Sequence, residues 1–168
     1  MSKPILYSYY RSSCSYRVRI ALHLKGIEFE YRPIHLLKNE QGEAGYQKLN
    51  PMGQVPYFVH GGEGLGQSMA IIYYLDRVWP DPPLFPADSL DRALCIQLCE
   101  IINSGIQPLQ NTGVVKELER RYKADENERK NWIGFWIAKG FAALEKTLAK
   151  RAGKFCLGDE LSAADLFL

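Results

Sequence analysis

Nowhere in these 168 residues does an uninterrupted apolar run approach the roughly 20 that a membrane-spanning helix needs. Met1 to Tyr10 has neither a basic opening nor a long apolar stretch, so the expectation is a cytoplasmic chain without a secretory leader. Charge of one sign is equally scarce: 21 Lys and Arg face 19 Asp and Glu, a net +2. That is too little for an electrostatic footprint on nucleic acid or an anionic membrane, and it leaves small ligands as the partners to consider. Cysteine is limited to Cys14, Cys95, Cys99 and Cys156 with no C-x-x-C pair, which argues for free thiols rather than a disulfide framework. Histidine is limited to His23, His35 and His60, far apart and without an acid or thiol at ligand spacing; no metal site is expected, and most of the three are expected at the surface. What the chain does have, 46% hydrophobic and 24% charged residues, is the balance of an ordinary globular protein.

Proline divides the chain. Pro80, Pro82, Pro83 and Pro86 crowd one short segment that neither helix nor inner strand can cross. The expected organisation is a first domain over 1–79, a linker over 80–88 and a second domain over 89–168. Upstream, Pro4 to Tyr10 reads as a strand, Tyr16 to Lys25 as a helix burying Val18, Ala21 and Leu22 and closed by Gly26, and Ile27 to Pro33 as a half-buried strand. Val55 to His60 is a third strand; four glycines around Leu65 make a fourth weak. Ser68 suits the N-cap of a helix over Met69 to Val78. The fold class is therefore α/β, followed by an all-α half whose Leu90, Leu94, Leu98, Ile101 and Ile102, then Trp132, Ile133, Trp136, Ile137, Leu144 and Leu148, keep a helical period. Leu118 to Lys130 is charged and reads as a solvated helix end and loop.

At the end of the chain, Ser162 and Asp165 form a helix-start signature followed by only three residues. So short a helix is marginal. The expectation is a chain that continues through several more helices, with Leu166, Phe167 and Leu168 otherwise lying as a frayed end and the helices around Trp132 and Leu148 lacking a cover.

The segment richest in chemistry is Ser12-Ser13-Cys14-Ser15, between the first strand and the first helix. A helix start favours an anion and lowers the pKa of a thiol placed there, and a hydroxyl can donate to a thiolate. The same serines also serve as plain N-caps. Cys14 reads either as a nucleophile or as an auxiliary thiol. Arg17, three residues on, shares its face and could receive a carboxylate, whereas Arg19 reads as part of a solvated face. Pro56 at the mouth of a strand suits a cis bond that would leave the Val55 backbone open to an extended ligand. Gln67-Ser68 repeats the helix-start logic.

The runs S-S-C-S-Y-R-V-R-I-A-L, N-P-M-G-Q-V-P, Q-S-M-A-I-I-Y-Y-L, I-Q-P-L-Q-N and G-D-E-L-S-A-A-D, in that order, resemble the zeta class of glutathione transferases. The resemblance implies a thioredoxin-like N-terminal domain, a helical C-terminal domain, a homodimer, and glutathione as cofactor. It implies that Ser13 hydrogen-bonds the glutathione thiolate, with Ser12 and Cys14 in the same pocket and Ser15 and Arg17 beside them. Val55 would pair its backbone with the tripeptide, Gln67 and Ser68 would hold the γ-glutamyl carboxylate, Gln41 would add a contact, and Gln107, Asn111, Thr112 and Gly113 would close the site. The implied reaction is glutathione-dependent cis–trans isomerisation of a small acidic substrate, maleylacetoacetate to fumarylacetoacetate, in tyrosine and phenylalanine catabolism. Conjugation or dehalogenation of small α-halo acids, maleylpyruvate isomerisation, and a non-catalytic binding role are the alternatives. Gly64 and Gly66 stand where the family has better strand formers, Tyr16 where tryptophan is common, and a substrate-binding arginine of the family's later helices falls beyond Leu168.

Overall fold

A computed structural model describes residues 3–168, which form two compact units that divide between Leu84 and Phe85. The division falls inside the proline-rich segment, where Leu84 and Phe85 are both buried.

The first unit runs β1 (Ile5–Ser8), α1 (Ser13–Leu24), β2 (Glu30–Pro33), two 3-10 turns (Leu36–Lys38 and Glu40–Gly42), α2 (Ala44–Leu49), β3 (Tyr57–His60), β4 (Glu63–Gly66) and α3 (Ser68–Val78). Its sheet has the order β2-β1-β3-β4: β2 lies parallel to β1, with Leu6 opposite Tyr31, and β3 lies antiparallel to both β1 and β4. The pairing of β1 and β2 through α1 is the βαβ unit expected from the pattern. Val18, Ala21 and Leu22 of α1 and Ile71, Ile72 and Leu75 of α3 recur at helical spacing, and all are fully buried with Leu6 and Phe58 of the sheet. The sheet and these two helices thus share one core, which fixes the start of α1 beyond the end of β1.

Helix α1 ends as its sequence requires. Gly26 adopts φ +62, its N–H donates to the His23 carbonyl at 3.0 Å, and the Ile27 N–H reaches Leu22 at 2.9 Å. That is the pattern of a glycine-terminated helix, in a backbone region that a β-carbon disfavours. Lys25, just before it, turns inward. Its Nζ, with no exposed side-chain surface, donates to Asp76 Oδ1 at 3.0 Å and to the Trp79 and Pro82 carbonyls at 2.6 and 2.8 Å. Asp76 Oδ1 also accepts the Leu84 N–H at 2.7 Å. The end of α1, the end of α3 and the proline segment are joined through one ammonium.

Several expectations need correction. The half-buried alternation of Ile27 and Phe29 precedes β2, and the strand itself is exposed at all four positions because it is a sheet edge. The fourth strand forms despite its glycines: a β-carbon on Gly64 would lie 2.0 Å from the Tyr57 hydroxyl, so the tyrosine occupies the space a better strand former would take. Ser68 is the first residue of α3 rather than its cap; Gln67 holds the cap position with φ 65 and no side-chain cap bond. Only His23 is exposed. His60 shares a hydrogen bond of 2.8 Å with the Tyr74 hydroxyl and packs against Trp79, and half-buried His35 stacks near Tyr9.

The second unit is helical: α4 (Ser89–Asn103), α5 (Gln107–Gln110), α6 (Thr112–Tyr122), α7 (Glu126–Leu148) and α8 (Ala163–Phe167). Asp88 caps α4 by accepting from Leu90 and Asp91 N–H, and Asp125 with Glu128 forms a reciprocal capping box that starts α7. Gly140 lets α7 approach Ile106, whose Cγ1 would lie 2.3 Å from an added β-carbon. Ser162 N–H donates to Asp165 at 2.8 Å, and Ala163, Ala164, Leu166 and Phe167 are buried in contact with α4. The end of the chain is therefore a packed helical turn rather than a frayed one, because its apolar side chains meet the Cys95–Leu98–Cys99–Ile102 stripe of α4.

Candidate glutathione site

Helix α1 starts one turn beyond the end of β1, and Ser12 is its N-cap. The Ser12 hydroxyl accepts the Ser15 N–H at 3.2 Å, and the Ser12 carbonyl accepts the Tyr16 N–H at 2.8 Å. Ser12 therefore does act as a cap; Ser13, the first helical residue, is exposed, and Cys14 is half-buried. No acid occupies the first turn, so the positive end of a 12-residue helix is uncompensated beside Ser13. Ser15 lies fully buried, its hydroxyl without a hydrogen-bond partner.

Two arginines differ from their sequence reading. Arg17 is 1% exposed, and its Nη1 donates to Ser68 Oγ at 3.4 Å, which ties the start of α1 to the start of α3. Arg19, expected on a solvated face, instead turns back along the β1–α1 connection: Nη1 donates to Ser8 Oγ at 2.9 Å and to the Tyr9 carbonyl at 3.3 Å, and Nη2 to the Tyr10 carbonyl at 3.2 Å. Its guanidinium also lies 5.2 Å from the centre of the Tyr16 ring.

The Val55–Pro56 bond is cis, with Pro56 buried, and among the described residues neither the N–H nor the carbonyl of Val55 pairs with another backbone group. The approach to Val55 is fixed from below: the Gln54 carbonyl accepts from the Tyr46 hydroxyl at 2.6 Å and from Asn50 Nδ2 at 2.7 Å. Burial pushes the Tyr46 phenol up to about 12, so it stays protonated and keeps donating. A β-carbon on Gly53 would lie 3.0 Å from the Gln41 carbonyl, so the Gln41 turn sits against the same loop. Gln41 Nε2 is held by Asn39 at 2.9 Å, while its Oε1 is buried without a partner. Among the described residues no group of three metal-ligating side chains occurs.

A Val55 backbone that pairs with no other backbone group and two helix starts linked through Arg17 and Ser68 suit a peptide-like ligand with a carboxylate and an anionic sulfur, and the Gln41 Oε1 left without a donor suits a ligand N–H. The chain matches the family models for the N-terminal domain of glutathione S-transferase over residues 2–77 and for its C-terminal domain over residues 112–168. It is 51% identical to glutathione S-transferase Z2 of Arabidopsis thaliana, covering 99% of this chain and 74% of that one. It is 49% identical to maleylacetoacetate isomerase of Rattus norvegicus, covering 99% of this chain and 75% of the relative. The chain belongs to the zeta class of the glutathione S-transferase family. Among solved structures, the maleylacetoacetate isomerase of Anaeromyxobacter dehalogenans with glutathione in its active site superposes with a TM-score of 0.86 at 43% identity, over 98% of this chain and 77% of that one.

In this glutathione S-transferase the remaining predicted residues lie in the second unit. Gln107 opens α5 and is buried, while Asn111 caps α6, accepting from Gly113 N–H at 3.3 Å and from the Thr112 hydroxyl at 3.1 Å. These four form one cluster at the α5–α6 junction. Arg11, directly before Ser12, is exposed and was not singled out from the sequence. Sequence reasoning missed the clamp made by Arg19, which no spacing rule reveals because two of its three partners are backbone carbonyls of a non-helical connection and the third, Ser8 Oγ, ends a strand.

Proposed function

We propose that this glutathione S-transferase is a glutathione-dependent cis–trans isomerase that converts maleylacetoacetate to fumarylacetoacetate. The single observation that carries the reading is the start of α1, where Ser13 stands exposed at a helix end with no acid to offset its positive charge. When bound, glutathione supplies a thiolate whose reversible addition to a conjugated carbon lets a double bond turn, and it leaves unchanged. A free thiol has a pKa of about 8.5, so at neutral pH the protein must favour the anion. The Ser13 hydroxyl donates to the sulfur and the helix end stabilises its charge, while Ser12 fixes the turn by capping and Ser15 and Cys14 line the same end.

The rest of the tripeptide is assigned by chemistry. The Val55 backbone pairs with its peptide groups, Gln41 accepts from it through Oε1, and Gln67 and Ser68 receive the γ-glutamyl carboxylate, with Arg17 holding Ser68 in place. Arg11, exposed beside Ser12, attracts a substrate that carries two carboxylates. The protein acts as a homodimer in the cytoplasm, a reading supported by its family membership; among the described residues no helix is long and apolar enough to cross a membrane.

Turnover of maleylacetone with and without glutathione tests the function. The expected result is formation of the trans isomer only when glutathione is present, with no glutathione consumed. Stoichiometric loss of glutathione would identify a conjugating transferase, and binding without turnover a non-catalytic member of the family.

A further inference from the structure

The β1–α1 connection, Tyr9 to Ser12, has little regular structure of its own. Its only internal backbone bond is from the Ser12 N–H to the Tyr9 carbonyl, at 3.0 Å. Arg19 lies one and a half turns into α1, a rigid element whose Val18, Ala21 and Leu22 are fully buried. From there its guanidinium reaches back to three acceptors in sequence: Ser8 Oγ at 2.9 Å on the last residue of β1, the Tyr9 carbonyl at 3.3 Å and the Tyr10 carbonyl at 3.2 Å. Tyr16, on the same helix, lies against the guanidinium, with its ring centre 5.2 Å away. The planar fork of an arginine fills this role in a way that an ammonium cannot, because two nitrogens must serve diverging carbonyls at once.

We propose that Arg19 is a positioning residue that locks the β1–α1 connection and thereby sets the line from the Ser13 hydroxyl to the ligand sulfur. The inference rests on the proposed role of Ser13. The Tyr9 carbonyl is shared between Arg19 Nη1 and the Ser12 N–H. Loss of the guanidinium frees Tyr9 and Tyr10 to rotate and loosens the cap residue that starts α1. The buried body of α1 is untouched, so the consequence falls on the aim of the first turn rather than on the fold. An oxyanion-type donor that is a fraction of an ångström out of line loses much of its effect on a developing or resting anion.

The test uses Arg19→Met, which keeps the aliphatic stem, and Arg19→Lys, which keeps the charge but not the fork. In the protein without ligand, the Ser12 amide should exchange with deuterium at least about tenfold faster in Arg19→Met, while amides in the middle of α1 keep their protection. With glutathione bound, ultraviolet titration of the thiolate should show its pKa raised by about one unit, a tenfold loss of thiolate at pH values below both pKa values, with affinity for glutathione unchanged in that acidic range, where the bound thiol is protonated in both proteins. Arg19→Lys should fall on the side of Arg19→Met in both readings, and it decides the matter if the methionine variant is insoluble. Unaltered exchange at Ser12, or a bound thiol that titrates as in the parent protein, overturns the inference. A parent protein whose bound thiol titrates like free glutathione would overturn the role of Ser13 instead, so the two failures are told apart.

Discussion

Replacing Lys25 by methionine removes the ammonium that joins α1, α3 and the proline segment while leaving a side chain of similar length. In the parent protein all three N–H bonds of Lys25 are used, on Asp76, Trp79 and Pro82. Asp76, with an 8% exposed side chain, would keep the Leu84 N–H but lose its cationic donor, and the Trp79 and Pro82 carbonyls would lose theirs. Breaking a buried ion pair on one side costs about 3–5 kcal/mol, because the remaining charge stays buried without its partner. In a chain of this size each kcal/mol corresponds to roughly 2–4 °C, so the midpoint of thermal unfolding should fall by roughly 6–20 °C. Circular dichroism against temperature, with urea titration as a second measure, reads the change. Asp76→Leu should be comparably harmful, but the double variant Lys25→Met with Asp76→Leu should be less destabilised than the sum of the two, since neither charge then remains. A loss below about 1 kcal/mol in Lys25→Met, or strictly additive losses, would refute the assignment of this pair as the pin of the first unit.

Ser12→Ala removes a cap and should lower stability by about 1 kcal/mol in urea unfolding, with turnover reduced less than in Ser13→Ala; Cys14→Ala should retain measurable isomerase activity. Two glycines of α7 give a matched pair in thermal unfolding. Gly134→Ala, where an added β-carbon meets nothing within 4 Å, should stabilise by up to about 1 kcal/mol, and Gly140→Ala, which collides with Ile106, should destabilise by about 1–3 kcal/mol before that helix gain. Cys95 gives the second unit a pH dependence. The hydrogen bond with Cys99 chiefly, helped by the Ser162–Ala164 turn, holds its thiol down to about 7 against burial. A lowered folded-state pKa contributes stability that is complete above the unfolded value of about 8.5 and lost as pH falls through about 7. Cys156, pushed up to about 12 by burial and by Asp165, acts with the opposite sign and only above about 8.5. Urea midpoints should therefore rise between pH 7 and 8.5, and the rise should vanish in Cys95→Ala.

Much of the fold was legible because its signals are local. The apolar spacing of Val18, Ala21 and Leu22, the glycine after α1 and the cluster of prolines each act over a few residues, and each produced the element that its chemistry demands. β4 was not legible, because Gly64 is there to admit the Tyr57 ring, a partner in another strand. The exposed face of β2 depended on its place at the sheet edge, which no alternation of Ile27, Phe29 and Tyr31 records. In the site, the serine cluster and the cis bond at Val55–Pro56 could be named from residue types. The burial of Arg17 against Ser68 and the clamp of Arg19 could not, since both depend on where two separate segments meet.

If Ser13 at the start of α1 holds the glutathione thiol as an anion, removing its hydroxyl must return the sulfur toward its ordinary pKa. Ultraviolet titration of glutathione bound to the parent protein and to Ser13→Ala tests it directly. The expected result is a thiol pKa in the parent protein lowered by about two units from the free value of about 8.5, and a return most of the way toward that value in Ser13→Ala, with turnover down on the order of 100-fold. A bound thiol that titrates near 8.5 in the parent protein, or an equally depressed pKa and full turnover in Ser13→Ala, would contradict it.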